Sequence, residues 1–124
     1  MSEIFAIQNE EVLDGLTNET TKWLQETFAA LANQTRLRIL HVLTQQEMSV
    51  NQLCDFVGAS QSQVSHQLRI LRDRRLVRYR RYGNQVFYSV DDGHVSNLFR
   101  EALSHLEHVR SGLPLTNGQD EDDL

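Results

Sequence analysis

Residues 49–71 read SVNQLCDFVGASQSQVSHQLRIL, and the rest of the chain takes its meaning from them. Ser49 suits an N-cap, because a serine oxygen can accept from a free amide of the first helical turn. Behind it Val50, Leu53, Cys54 and Val57 stand at i, i+3, i+4 and i+7, the spacing of one buried helical stripe. Gly58 suits the left-handed position that ends a helix, and Ser60 can cap another only two residues later. Two helices joined by so tight a glycine-containing turn make a helix-turn-helix. Cys54 lies on the apolar stripe and reads as a small core residue.

The second helix, predicted from Gln61 to about Arg74, has a thin apolar line of Val64, Leu68 and Leu71 with Ile70 beside it. Its other face carries Gln61, Ser62, Gln63, Ser65, His66, Arg69 and Arg72, with no glutamate or lysine of the kind that fills a merely solvated face. Such side chains donate to phosphates and bond to base edges in a major groove, while the free amides at the helix start favour phosphate. Residues 76–81 and 85–90 are β-rich runs around Tyr82, Gly83 and Asn84, a hairpin by its turn chemistry. Arg78, Arg80 and Arg81 make that hairpin basic, so it reads as a wing reaching the backbone or minor groove beside the helix. The expected DNA contacts are Ser60, Gln61, Ser62, Gln63, Ser65, His66 and Arg69 from the helix and Arg78, Arg80, Arg81, Tyr82 and Asn84 from the wing.

Charge agrees once its distribution is considered. The chain has a formal net charge of −5, which alone argues against nucleic acid. Between Ser60 and Val90, however, seven arginines face one acid, Asp73. A basic stretch in an otherwise acidic chain fits a DNA-reading surface whose other faces resist non-specific adhesion.

Upstream, residues 1–16 are weakly patterned, an arm or a short helix. From Thr17 the period is helical, with Leu24, Phe28 and Leu31 on one face and Trp23 flanking it. Asn33 can cap a helix over residues 34–45, with Leu37, Leu40, Val42 and Leu43 turned inward and Arg36 and Arg38 near the surface. A winged helix-turn-helix domain is thus expected over residues 17–110, mainly α with a β-hairpin. Gly112 and Pro114 lead into an acidic tail, residues 111–124, expected to be disordered. The 124 residues suffice for one modest core. No segment approaches the roughly 20 apolar residues of a membrane span, and no basic-then-apolar signal pattern opens the chain, so a cytoplasmic location is expected. A single cysteine makes no internal disulfide. Neither a P-loop nor a catalytic Ser/His/Asp order is present, and no enzyme is expected.

The last predicted helix, residues 91–110, holds three of the five histidines. His94 and His105 lie roughly 16 Å apart along the axis yet almost on one side, since eleven residues overshoot three turns by only about 20°. His108 is one turn beyond His105. A metal needs its ligands about 2.0 to 2.2 Å away, so the two ends of one helix cannot share an ion. Two copies packed antiparallel about a two-fold axis bring Asp92 and His94 of one chain to His105 and His108 of the other, forming two equal sites. Beside this polar line Val95, Leu98, Phe99, Ala102, Leu103, Leu106 and Val109 form an apolar face, read as a dimer seam.

These features together resemble the ArsR/SmtB family of bacterial winged-helix metal-responsive repressors, over about residues 27–108. The resemblance rests on LANQTRLRIL (residues 31–40), SQSQVSHQL (residues 60–68) and YSVDDGH (residues 88–94). It implies a homodimer through the first and last helices, with double-stranded inverted-repeat operator DNA as partner and no membrane or small organic substrate. For the zinc-sensing branch it implies an inter-chain site whose matching positions here are Asp92, His94, His105 and His108. Members sensing arsenic, cadmium or lead through the third helix carry a Cys-x-Cys type motif there, whereas this chain has Ser49 and Asn51 in that region. Three imidazoles and a carboxylate suit tetrahedral Zn²⁺, with Co²⁺ or Ni²⁺ open if further ligands join. The expected function is a repressor that binds its operator metal-free and is released by Zn²⁺. A winged-helix regulator with a non-metal cue is the alternative, and a metal-dependent hydrolase a remote one, since no acid/base partner stands outside the ligand set.

Overall fold

The computed structural model describes residues 15–112; residues 1–14 of the expected arm (1–16) and residues 113–124 of the acidic tail lie outside the described residues. In order the elements are α1 (Asn18–Leu31), α2 (Gln34–Leu43), α3 (Val50–Val57), α4 (Gln61–Asp73), β1 (Val77–Tyr82), β2 (Gln85–Val90) and α5 (Gly93–Gly112).

Each of the first four helices begins where an oxygen-bearing side chain relieves its free amides. The Thr17 hydroxyl accepts from the Thr20 amide at 3.1 Å and the Asn33 carboxamide from the Arg36 amide at 3.0 Å. Ser49 and Ser60 go further, since each forms a reciprocal capping box with the glutamine three residues on, Gln52 and Gln63. Gly58 closes α3 at φ +67°, as the glycine suggested. The end of α4 had no such signal. There Arg75 takes the left-handed conformation at φ +60°, and the Arg75 and Leu76 amides donate back to the Arg72 and Leu71 carbonyls, both at 2.9 Å. This is the closure glycine usually makes, built here on an arginine.

Ile39, Leu40 and Leu43 of α2, Leu53 and Val57 of α3, and Val64, Leu68 and Leu71 of α4 meet in one core, completed by Ala30, Met48, Leu76 and Val77. One inward expectation is corrected: Leu37 is exposed and Ile39 is the fully buried residue of that turn. α2 lies between the core and a second apolar surface, and its stripe serves both.

β1 and β2 pair antiparallel from Val77↔Val90 to Tyr82↔Gln85, leaving a two-residue turn of Gly83 and Asn84 with Gly83 at φ +62°. Met48 exchanges both backbone hydrogen bonds with Tyr88, at 3.0 and 2.7 Å, so the chain before α3 lies against the hairpin and fixes it to the core. α5 starts two residues later than expected and runs two residues beyond Arg110, to Gly112.

Candidate nucleic-acid interface and metal ligands

α4 turns Val64, Leu68 and Leu71 into the core, which leaves Ser62, Ser65, His66 and Arg69 exposed on the far side. All twelve expected DNA-contacting residues are exposed, but they are not equally free. The Ser60 hydroxyl accepts from the Gln63 amide at 3.2 Å, and the Gln63 carboxamide accepts from the Ser60 amide at 2.9 Å. Gln61 donates to the Asn51 carboxamide at 2.5 Å, tying the start of α4 to α3. These three side chains hold the helix end, and the unengaged polar ones of the expected set on α4 are Ser62, Ser65, His66 and Arg69. The Ser-x-x-Gln spacing of the cap was visible in the sequence and is the feature that sequence reasoning passed over.

The hairpin divides its arginines by strand alternation. Arg78 and Arg80 lie opposite Ser89 and Phe87 on one face, while Arg81 pairs with Val86 on the other. Arg80 donates to the Glu47 carboxylate at 3.1 Å and stacks over the Tyr82 ring at 4.9 Å from its centroid. The hydrogen bond that Arg80 donates to Glu47, and then the Glu47 charge, hold the Arg80 guanidinium above the usual arginine range. Arg72 lies over Tyr79 at 5.3 Å, a contact that leaves an arginine charged while fixing its direction. Tyr82 and Asn84 are at the tip, both exposed.

Asp92 precedes the first residue of α5, and one of its oxygens, Oδ1, accepts from the His94 and Val95 amides at 2.8 and 3.1 Å. It is therefore the helix cap, which corrects its expected place inside the helix. His94 Nδ1 is 3.6 Å from the same oxygen, and the His94 side chain is 96% exposed. His105 and His108 are likewise exposed. Among the described residues no three His, Cys, Asp or Glu side chains converge within the single chain. The described residues thus offer two pairs of candidate donors, one at each end of a long helix, and bring no third ligand to either.

The double role of Asp92 makes a separable expectation. Asp92→Ala is expected to lower stability by about 1 kcal/mol through loss of the cap, whereas Asp92→Asn keeps an accepting oxygen and most of that stability. Denaturant midpoints of the two variants check this; equal losses would remove the capping role.

α5 buries none of its twenty residues in the single chain. Its Leu98, Leu103 and Leu106 face a groove of about 360 Å³ shared with Phe28 of α1 and Leu37 of α2. Phe28 remains 52% exposed and Leu106 54%. A large apolar surface at the rim of a small domain marks a place of association.

A helix-turn-helix on a compact core, followed by a basic antiparallel hairpin, defines a winged-helix DNA-binding protein. Comparison with known proteins specifies the class: residues 33–79 match the family described as "Bacterial regulatory protein, arsR family". A "Transcriptional repressor SmtB homolog" of Synechocystis sp. is 51% identical over 84 residues, 68% of this chain and 64% of that protein. A "Cadmium resistance transcriptional regulatory protein CadC homolog" of Staphylococcus aureus is 36% identical over 87 residues, 69% of this chain and 72% of that one. Among solved structures, the homodimeric winged helix-turn-helix DNA-binding domain Mb0332 of Mycobacterium bovis superposes with a TM-score of 0.73 at 25% identity, covering 82% of this chain and 96% of that one. The chain belongs to the ArsR family, whose members matched here are transcriptional regulators and not enzymes.

Proposed function

We propose that the chain acts as a homodimeric repressor that holds an inverted-repeat operator in its metal-free form and releases it when Zn²⁺ binds between the two copies of α5. The observation that carries this reading is a twenty-residue helix with no buried residue and with exposed ligand pairs at its two ends. A second copy running antiparallel covers the apolar face. It also lets Asp92 and His94 of one chain join His105 and His108 of the other, which no arrangement of one straight helix allows. The donor chemistry fits: His94, His105 and His108 are exposed, and Asp92 has a second oxygen that no hydrogen bond among the described residues engages. Three nitrogens and one oxygen suit Zn²⁺, and Co²⁺ or Ni²⁺ where the shell is larger. The cadmium-resistance role in the name of one relative supports a metal cue in general.

Toward DNA, Ser62, Ser65, His66 and Arg69 are the side chains of α4 positioned to meet base edges and phosphates. Arg78, Arg80, Arg81, Tyr82 and Asn84 of the wing would meet the backbone or minor groove, with a phosphate taking the place of Glu47 on Arg80. The Ser60 and Gln63 cap directs the free amides of α4 toward a phosphate. No described helix is long and apolar enough to cross a membrane, and such a repressor works in the cytoplasm.

Operator affinity measured with and without a panel of divalent ions tests the proposal. Zn²⁺ is expected to weaken binding about 5- to 150-fold, the range of a coupling of 1 to 3 kcal/mol. Affinity in the metal-free state is expected to fall steeply with added salt, because arginines displace counterions from phosphates. Tight metal-free binding that no ion alters would favour a regulator with another cue.

A further inference from the structure

α1 has two working sides. Leu24, Phe28 and Leu31 lie on one, toward the groove proposed as the dimer seam, and Glu26 and Ala30 lie about 150° around the helix from it. That second side reaches the reading helix through two long side-chain bridges. Arg36, in the first turn of α2, donates through Nε to the Ala30 carbonyl at 2.6 Å and through Nη1 to the Gln67 carboxamide oxygen at 2.6 Å. The Ala30 carbonyl belongs to the last turn of α1 and has no partner within the helix, so the guanidinium answers an open acceptor. Glu26, one turn earlier on α1, accepts from Arg74 Nη1 at 2.7 Å, and Arg74 is the residue that ends α4.

Gln67 and Arg74 are seven residues apart, about 10 Å along α4. A helix held at two points that far apart has its tilt fixed as well as its position. Gln67 follows His66 directly and is half-buried, aimed away from the exposed reading face, so it is suited to holding the helix and not to touching bases. Arg36 is planar, with donors in a fixed fork, which is why one side chain can join two acceptors on different helices at short distance.

We propose that the Ala30–Arg36–Gln67 and Glu26–Arg74 bridges are struts that set the tilt of the reading helix from the position of α1, and so carry a change at the dimer seam into operator affinity. Arg36, Gln67, Glu26 and Arg74 are then positioning residues, outside both the metal ligands and the DNA-contacting set. The inference rests on the metal-responsive reading above. If the two chains shift when metal draws the α5 helices together, α1 shifts with the seam, and a two-point grip turns that displacement into a rotation of α4. Without the grip, α4 keeps the tilt its own core residues give it, whatever the seam does.

The test compares operator Kd with and without Zn²⁺ for the full-length wild-type chain, Gln67→Ala, Glu26→Ala and Gln67→Glu. Zinc stoichiometry and dimer mass are measured alongside. Wild type is expected to lose affinity about 5- to 150-fold on adding Zn²⁺. In Gln67→Ala and Glu26→Ala that ratio is expected to fall toward 1 while about one Zn²⁺ per chain still binds. Gln67→Glu, whose carboxylate still accepts from Arg36, is expected to restore the ratio even if the added charge weakens both affinities. A role confined to stability would lower the melting temperature and leave the ratio unchanged. A wild-type ratio retained in both strut variants overturns the struts and leaves the metal reading intact, whereas no ratio in wild type overturns both. Glu26→Ala removes one side of a partly exposed ion pair, so it keeps the test decisive if Gln67→Ala fails to fold.

Discussion

Leu106→Glu is expected to convert the chain from a dimer to a monomer and to weaken operator binding by at least about 100-fold. Leu106 is 54% exposed in the single chain, so a glutamate there remains hydrated and the helix-turn-helix core is untouched. In the proposed dimer the same carboxylate would be driven into an apolar seam, at a cost of several kcal/mol in which each 1.4 kcal/mol is tenfold. Operator binding follows, because two half-sites about one helical turn apart are engaged by two joined reading helices. Sedimentation at micromolar concentration reads the mass, circular dichroism the fold, and a mobility shift the affinity. A folded Leu106→Glu protein that remains dimeric would place the seam elsewhere.

The second large effect is expected at the ligands. His105→Ala should abolish the zinc response of operator binding while leaving metal-free affinity within about twofold, because His105 is exposed on α5 and touches neither the core nor the expected DNA face. Losing one of four ligands commonly removes a tetrahedral site altogether. Calorimetric titration is expected to fall from about one Zn²⁺ per chain to none measurable. Full zinc sensitivity in that variant would remove His105 from the site.

Much of this was legible in the sequence because local chemistry and tertiary packing agree there. The capping residues Ser49 and Ser60, the glycine at 58, and the Val64, Leu68 and Leu71 line each point to one helix and one buried face, and the fold uses them so. Legibility fails where a residue serves two surfaces. The α2 stripe is apolar toward both the core and the groove, so periodicity gives the face of Leu37 and Ile39 but not which meets the interior. Arg36 reads as a surface cation because composition carries no sign of the Ala30 carbonyl or of Gln67. Those partners lie six and thirty-one residues away and meet only in the folded chain. Arg75 takes a conformation usually left to glycine, so the end of α4 had no marker. Asp92 shows the same overlap at the candidate site: the spacing to His94 suggests a ligand pair, while its hydrogen bonds make it a cap.

Each proposed metal site takes one ligand pair from each chain. Mixing two defective proteins tests this directly. One carries Asp92→Ala with His94→Ala and the other His105→Ala with His108→Ala; each alone is expected to bind no Zn²⁺ tightly. After unfolding and refolding together, about half the dimers should be mixed, and each mixed dimer should have one complete site, since symmetry pairs the surviving halves once. About one tight Zn²⁺ per mixed dimer is expected to be recovered. Mixed dimers that form but recover no tight Zn²⁺ would contradict the shared site.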